Sequence, residues 1–521
     1  MLTSLYHMIS IVKSLFSESL ASLPGGRSHR SLLMGMLGRL AAQKEIDATM
    51  PEIANFFGVS PQAVHKAIRR IADLEARLPA LPEIPAGCIM ATKKDVDKAI
   101  LSIALDGHSS IEGIQRILAR IYGEELRPST GYISTLLNKA GAFAEGISRS
   151  IPLHGITQGA NDEIFDDSDS PVLTGVDADS TYIYLMQGMD DRKGETWQLA
   201  METLKDSGLA LKVAISDAGK GLLKGVKAAF PEADIQIDIF HVLRDLGGAV
   251  HRFKEGILKG VAACYDLEKA VSKAKRPWRR KARDQKEKLA ELQSKIPAMA
   301  EDFDAMECLH SWLCELASFS GCDYDEATGL MKWILSEMAA VAGRNSGTWE
   351  LRKEIARFED RMPAAMLFLK RLFRDFSRAA AAMGLPGEAF RLLHRRMGAR
   401  KHSDAHAALE REAMEVIGPE RWEEARNAHD EIVGSIKRAS SMVENVNSRL
   451  RVYMNIKKHV SSNFYSLVQL HLNTKKYRRS RVKSRKGCSP VELLTGETWP
   501  ELIDLFEERG FWADSNARKV A

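Results

Sequence analysis

The sequence predicts an α/β protein: a mixed sheet in the order βββαβαβα, interrupted by a large all-α insertion and preceded by small helical modules. Three observations predict it. Apolar spacing changes from helical to strand-like near Ile151. Beyond that point short extended runs alternate with helical runs in a fixed order. From about Gly247 to Ile436 the chain is again rich in Ala, Leu, Glu, Lys and Arg, with few strand-like runs. The chain has 521 residues, 45% of them hydrophobic, which suits two to four domains with real cores.

The first twenty residues, MLTSLYHMISIVKSLFSESL, place Leu5, Met8, Ile9, Val12, Leu15 and Phe16 at helical spacing, broken by Lys13 and Glu18. They read as an amphipathic helix. No basic start leads into an unbroken apolar core, and no run of eighteen apolar residues occurs, so neither export nor membrane spanning is expected and a cytoplasmic protein is. Six scattered cysteines among 521 residues are too few for a disulfide scaffold, and none forms a CxxC pair. Cys308, Cys314 and Cys322, with His310, have the wrong spacing for zinc and read as buried thiols.

MPEIANFFGVSPQAVHKAIRRIADL, Met50 to Leu74, has the residue types of a helix-turn-helix at each offset. Ala54 is small where two helices press together, Gly58 suits a turn with positive φ, and Val64 plugs the second helix into the core. Ser60 is a plausible N-cap with Pro61 at the first helical position. The second helix would present Gln62, His65, Lys66 and Arg69, groups that reach base edges and phosphates. LPALPEIPAG, Leu78 to Gly87, reads as a stiff linker. SSIEGIQRILARIYGEELRPSTGYISTLLNKAG then repeats the two-helix pattern, with Ser129 and Thr130 as caps for a second recognition helix through Leu137.

HGITQGANDEIF (His154 to Phe165), PVLTGVD (Pro171 to Asp177) and TYIYLMQGM (Thr181 to Met189) are three antiparallel strands separated by turn-like sequence. GETWQLAMETLKDSG is helical, LALKVAISDAGKG is a strand ending at Asp217, Leu222 to Phe230 is a helix, and ADIQIDIFHVLRDL is a strand running into a helix near His241. This order is that of the ribonuclease H-like fold. In such folds carboxylates lie on the first strand, at the end of the strand after the first helix, and on a late helix; Asp162, Asp217 and Glu444 occupy those places. Hydrolysis of a phosphodiester needs charge compensation at both oxygens, which two divalent metals about 4 Å apart supply. Hard cations such as Mg²⁺ take oxygen ligands, hence Asp and Glu.

NDEIF (Asn161 to Phe165), VAISDAGKGLLKG (Val213 to Gly225) and SSMVENVNSRLR (Ser440 to Arg451) resemble the three acidic motifs of DDE transposases of bacterial insertion sequences, and GCSPVELLTG (Gly487 to Gly496) is similar to their C-terminal segment. The resemblance implies that Asp162, Asp217 and Glu444 hold two Mg²⁺ ions, with Mn²⁺ as a substitute. It implies cleavage at element ends, strand transfer by the 3′-OH, double-stranded DNA as partner, a homo-oligomer on DNA, and a nucleoid-associated place in a bacterial cytoplasm. His241 matches a histidine that some such transposases place near the scissile phosphate, and equally reads as a capping or core residue. Asp177 or Asp179 remains an alternative first acid, Asp217 a helix cap and Glu444 a surface acid. Asn447, Ser448 and Arg451 share the helical face of Glu444, which suits DNA better than solvent.

More than two hundred residues separate Asp217 from Glu444, and they read as a helical insertion. Within it KAKRPWRRKARDQKEK, Lys273 to Lys288, surrounds Trp278 with Arg276, Arg279 and Arg280, which suits phosphates and a stacked base as well as a solvated charged helix. Trp312, Trp333, Trp349 and Trp422 read as core residues. KKYRRSRVKSRKG packs eight basic residues into positions 475–486, Arg478, Arg479 and Arg481 among them, and suits DNA phosphates or a disordered tail. The expected organisation is a helix-turn-helix domain (1–77), a linker (78–90), a second such domain (91–150), the first part of the catalytic core (151–246), the helical insertion (247–436), the core's final helix (437–472) and a basic DNA-binding tail (473–521). A regulator whose acids no longer bind metal is the alternative. A structure-specific nuclease would leave the tandem helix-turn-helix units without a purpose. HRRMGARKH, His394 to His402, leads to no nucleophilic tyrosine, as tyrosine recombinase chemistry would require.

Overall fold

The computed structural model describes residues 29–43, 48–75, 92–165, 170–318, 321–345, 347–456 and 460–513. The expected N-terminal amphipathic helix and the proline-rich linker lie outside these residues. The chain divides into two compact units, residues 1–99 with 506–521, and residues 100–505.

The smaller unit contains α1 (His29–Ala42), α2 (Met50–Phe56) and α3 (Pro61–Glu75). Leu37, Ile53, Ala54, Phe57, Val64 and Ala67 form its core, so Ala54 and Val64 stand where their sizes require. Gly58 has φ 60°, a left-handed turn that a glycine makes without steric cost. The start of α2 carries a capping box: Thr49 N–H donates to Glu52 Oε2 at 2.8 Å. Gln62, His65, Lys66 and Arg69 are all exposed on α3.

In the larger unit, α5 (Ile111–Tyr122) and α6 (Thr130–Arg149) follow the end of α4 (Lys93–Leu105). Ser129 caps α6, its Oγ accepting from Tyr132 N–H at 3.1 Å, and the helix runs well past Leu137 because Ala140, Ala144 and Ile147 continue the buried stripe. The sheet consists of β1 (Gln158–Phe165), β2 (Pro171–Asp177), β3 (Ile183–Gly188), β4 (Val213–Ser216) and β5 (Asp234–Ile237), in the order β3-β2-β1-β4-β5. The first three are antiparallel; β4 pairs parallel with β1, and β5 parallel with β4. The first strand starts at Gln158, four residues later than the sequence suggests. Gly159 on β1 and Gly175 on β2 leave room for the Tyr184 ring, and Tyr184 Oη donates to Asn161 Oδ1 at 2.7 Å. Helices α7 (Gly194–Asp206) and α8 (Lys220–Ala229) complete the order βββαβαβα when α9 is added.

α9 (Ile239–Ser272) and α10 (Arg280–Leu316) form a long antiparallel hairpin. With 34 residues, α9 is about 50 Å long. Residues 273–279 make the tip, so Arg276, Trp278, Arg279 and Arg280 are exposed at its far end, Trp278 70% exposed. α11 (Tyr324–Gly343), α12 (Trp349–Ala365), α13 (Leu367–Ala382), α14 (Ala389–Gly398), α15 (Asp404–Ile417) and α16 (Trp422–Ser435) pack with the hairpin's base around one apolar cluster. Of the four tryptophans read as core, Trp422 is buried. Trp312, Trp333 and Trp349 are exposed, and Trp312 stacks on Trp333 with ring centroids 6.3 Å apart. Cys308 and Cys314 are likewise exposed rather than buried, since their helical positions fall on the outer face of α10. The chain returns through α17 (Ser441–Ile456) and α18 (Ser462–Thr474), then α19 (Pro490–Thr495) and α20 (Leu502–Glu508). Among the described residues no helix is long and apolar enough to cross a membrane.

Candidate active site

The parallel register of β1 and β4 ends with Asn161 paired to Ser216, so the next residues, Asp162 within β1 and Asp217 just past β4, are neighbours where that pairing stops. Parallel strands run about 4.8 Å apart, which puts two carboxylates side by side at the point where the sheet changes direction. The consequence is visible in Asp162. Burial first, and then the Asp217 charge, push its carboxyl up to about 6 despite a hydrogen bond from the Glu163 N–H. Asp217 Oδ1 accepts from Gly219 N–H at 3.0 Å, which stiffens the turn into α8.

From the other side α17 covers the first strand. Asn447 Nδ2 donates to Asp162 Oδ2 at 2.7 Å, while its Oδ1 accepts from Thr174 Oγ1 at 3.0 Å. Thr174 lies directly across from Asp162 on β2, and its hydroxyl also contacts Asp162 O at 3.1 Å. One amide thus holds the carboxylate and the neighbouring strand together.

Glu444 stands one turn earlier on α17, half exposed, and contacts His241 Nε2 at 2.9 Å. His241 Nδ1 faces Asp238 Oδ2 at 3.2 Å, an ion-pair distance without hydrogen-bond alignment. Bracketed by two carboxylates, His241 is held above its ordinary pKa, the Asp238 carboxylate being the largest cause and Glu444 a lesser one. Asp238 caps α9 through Phe240 N–H at 2.8 Å, and its Oδ2 takes Ser440 N–H at 2.6 Å and Ser440 Oγ at 2.7 Å. Burial would raise Asp238, but these donors and His241 outweigh it and bring its carboxyl down to about 2. Asp238 stands outside the three acids that the sequence predicts. Its position before a helix was the cue for a cap; its partner two hundred residues away left no cue at all. Asn447 was read as facing DNA, and the structure turns it onto Asp162.

The alternative first acids sit elsewhere. Asp177 pairs across from Gly159, three positions from the Asp162 register, and is occupied by Ser180 N–H at 2.8 Å. Asp179 is exposed and pairs with Lys437 at 3.5 Å. Arg451 is exposed on α17, and Arg478, Arg479 and Arg481 are exposed in the segment after α18.

Carboxylate oxygens are the donors that Mg²⁺ or Mn²⁺ requires, and the charge crowding on Asp162 fits a site completed by a cation. Asp162 and Asp217 are placed for it. Glu444 is turned to His241, and among the described residues no three His, Cys, Asp or Glu side chains already converge on one point.

Fold and site together define an α/β protein with two acids side by side where the parallel pairing of β1 and β4 ends and a third acid on a returning helix. Residues 162–363 match a family model described as transposase, that of DDE transposases of the ISL3 type, and the matched region begins at Asp162 itself. Over those residues the chain is similar to DDE transposases of insertion sequences. No curated protein matches it.

Proposed function

We propose that this transposase cuts a DNA strand at each end of its element by metal-assisted hydrolysis and joins the freed 3′-OH to target DNA. Water oxygen attacks phosphorus and the P–O3′ bond breaks, leaving a 3′-OH; that hydroxyl then attacks a target phosphate, displacing another 3′ oxygen. Asp162, Asp217 and Glu444 would hold two Mg²⁺ ions, which supply charge compensation and a more acidic bound water. The chain's own residues supply position: Asn447 orients Asp162, and Asp238 with His241 fixes the first turn of α17 that carries Glu444.

The observation that carries this reading is the adjacency of Asp162 and Asp217 on parallel strands inside the transposase match. The strand order and the βββαβαβα succession support a ribonuclease H-like core. The turn at Gly58 and the outward Gln62, His65, Lys66 and Arg69 support a helix-turn-helix that reads the element ends. The exposed tip with Arg276, Trp278, Arg279 and Arg280, and the basic Arg478, Arg479 and Arg481, with Arg451, would add phosphate contacts. Holding two ends at once calls for a homo-oligomer on DNA, in the bacterial nucleoid.

The test uses labelled DNA from the flanks of the gene, with Mg²⁺ or EDTA, beside Glu444→Gln. Metal-dependent nicking at a fixed position, lost in the variant while binding persists, is expected. Specific binding without cleavage in any divalent metal would refute the catalytic reading.

A further inference from the structure

The first turns of α17 and the basic segment after α18 enclose a cavity of about 440 Å³ that the acids do not use. One wall is the face of α17 carrying Ser441, Asn445 and Arg449, four residues apart each time. The other is the segment 477–488, which brings Arg479, Arg481 and Arg485 to it. No lining residue is acidic.

That segment is a closed loop. Tyr477 N–H donates to Cys488 O and Gly487 N–H to Tyr477 O, each at 2.9 Å, which ties its base. Tyr477 Oη pairs with Thr181 Oγ1 at 2.7 Å and Arg485 Nη2 donates to Asp179 O at 2.8 Å, which pin it to the β2–β3 turn. Thr181 holds φ 63°, a conformation that a β-branched residue adopts only at a cost. The loop therefore presents its arginines from a fixed frame.

Guanidinium groups, hydroxyls and the positive end of a helix, with no competing carboxylate, make a site for anionic oxygen, and the arginine fork matches phosphate. The volume exceeds what a lone phosphate fills and falls in the range of organic-ligand sites, about 300–1,000 Å³. A phosphate with its flanking sugars fits that description.

We propose that this cavity holds a phosphodiester of the DNA strand being processed, and that Arg449, Arg479 and Arg481 set the strand's register against α17, where Glu444 adjoins Asn445. The inference rests on the reading of the chain as a DNA-cutting transposase. Each neutralised phosphate contributes about 0.9 to the slope of log affinity against log salt concentration.

The experiment measures binding of the full chain to a fluorescent 30-base-pair duplex by anisotropy over a series of salt concentrations. Arg449→Gln/Arg481→Gln is expected to lower affinity about tenfold or more and to reduce the slope by about two. Ser441→Glu places a carboxylate in the cavity at a helical position that favours one, so it should weaken binding without unfolding the helix. Lys259→Gln/Arg411→Gln removes two exposed charges from the insertion and should leave the slope unchanged. Cavity variants that bind like the wild type, or that change no more than this control, overturn the proposal alone. A wild-type chain with no salt-dependent DNA binding overturns the transposase reading and the proposal with it.

Discussion

Asp238→Ala should loosen the first turn of α17 and the start of α9. The carboxylate accepts from Phe240 N–H at 2.8 Å, His241 N–H at 3.3 Å, Ser440 N–H at 2.6 Å and Ser440 Oγ at 2.7 Å. Ser440 is 1% exposed, so its amide and hydroxyl lose their partner where water enters poorly. Each stranded donor costs about 1–3 kcal/mol, and the lost cap on α9 about 1 kcal/mol more. Partial rehydration brings the local total to about 3 kcal/mol, equivalent to roughly a hundredfold faster amide exchange, since about 1.4 kcal/mol is a factor of ten. Hydrogen exchange read by mass spectrometry over residues 440–444 measures it. The same carboxylate gives a pH signature. Its folded pKa of about 2 lies below the ordinary 3.8, so its contribution of about 2 kcal/mol is present above pH 4 and lost as pH falls toward 2. Exchange in 440–444 that matches the wild type at neutral pH would refute the clamp.

Two further changes probe neighbouring contacts. Asn447→Leu removes the donor to Asp162 and the acceptor for Thr174, at a cost of about 2 kcal/mol. A carboxyl already at about 6 then rises further, so the acid limb of the cleavage pH profile should move to higher pH; an unshifted limb would contradict the role given to Asn447. Gly141→Ala would place its Cβ 1.9 Å from Asn463 O, a backbone atom, forcing α6 and α18 apart at a cost of about 2–3 kcal/mol. Gly146→Ala on the same helix meets nothing and should be neutral or stabilising, so equal thermal midpoints for the two variants would speak against that packing.

Much of this was legible along the chain. β2 announces itself through Val172, Leu173 and Val176 between turn-like segments, and α9 to α16 through a composition rich in Ala, Leu, Glu, Lys and Arg with few strand-like runs. Asp162 lies within β1 and Asp217 just past the end of β4, positions that follow from the strand pattern of the sequence. What escaped were pairings between distant segments. Nothing near Asn447 states that it meets Asp162, and nothing near Ser440 names Asp238. The exposed Trp312, Trp333 and Trp349 escaped for another reason: residue type predicts average burial, whereas the side of the helix decides the case.

The insertion poses a physical question, because some two hundred residues between Asp217 and Glu444 ought to blur the position of the second. The neck answers it. Gln236 Nε2 donates to Lys437 O at 3.1 Å on the returning chain, Asp238 binds Ser440 at 2.6 Å, and His241 reaches Glu444 at 2.9 Å. Arg371, buried on α13, hydrogen-bonds Gln236 and stands 3.4 Å from Lys437 O, so the insertion itself supplies a pin. Burial brings that guanidinium down to about 10, still charged at neutral pH. Departure and return are therefore fixed within a few residues of each other. Loop-closure entropy grows only with the logarithm of length, so once the neck is made the helices beyond it can lengthen at little cost to the site. The address of Glu444 is written in residues 236–241 and 437–444, and the long hairpin can extend without moving it.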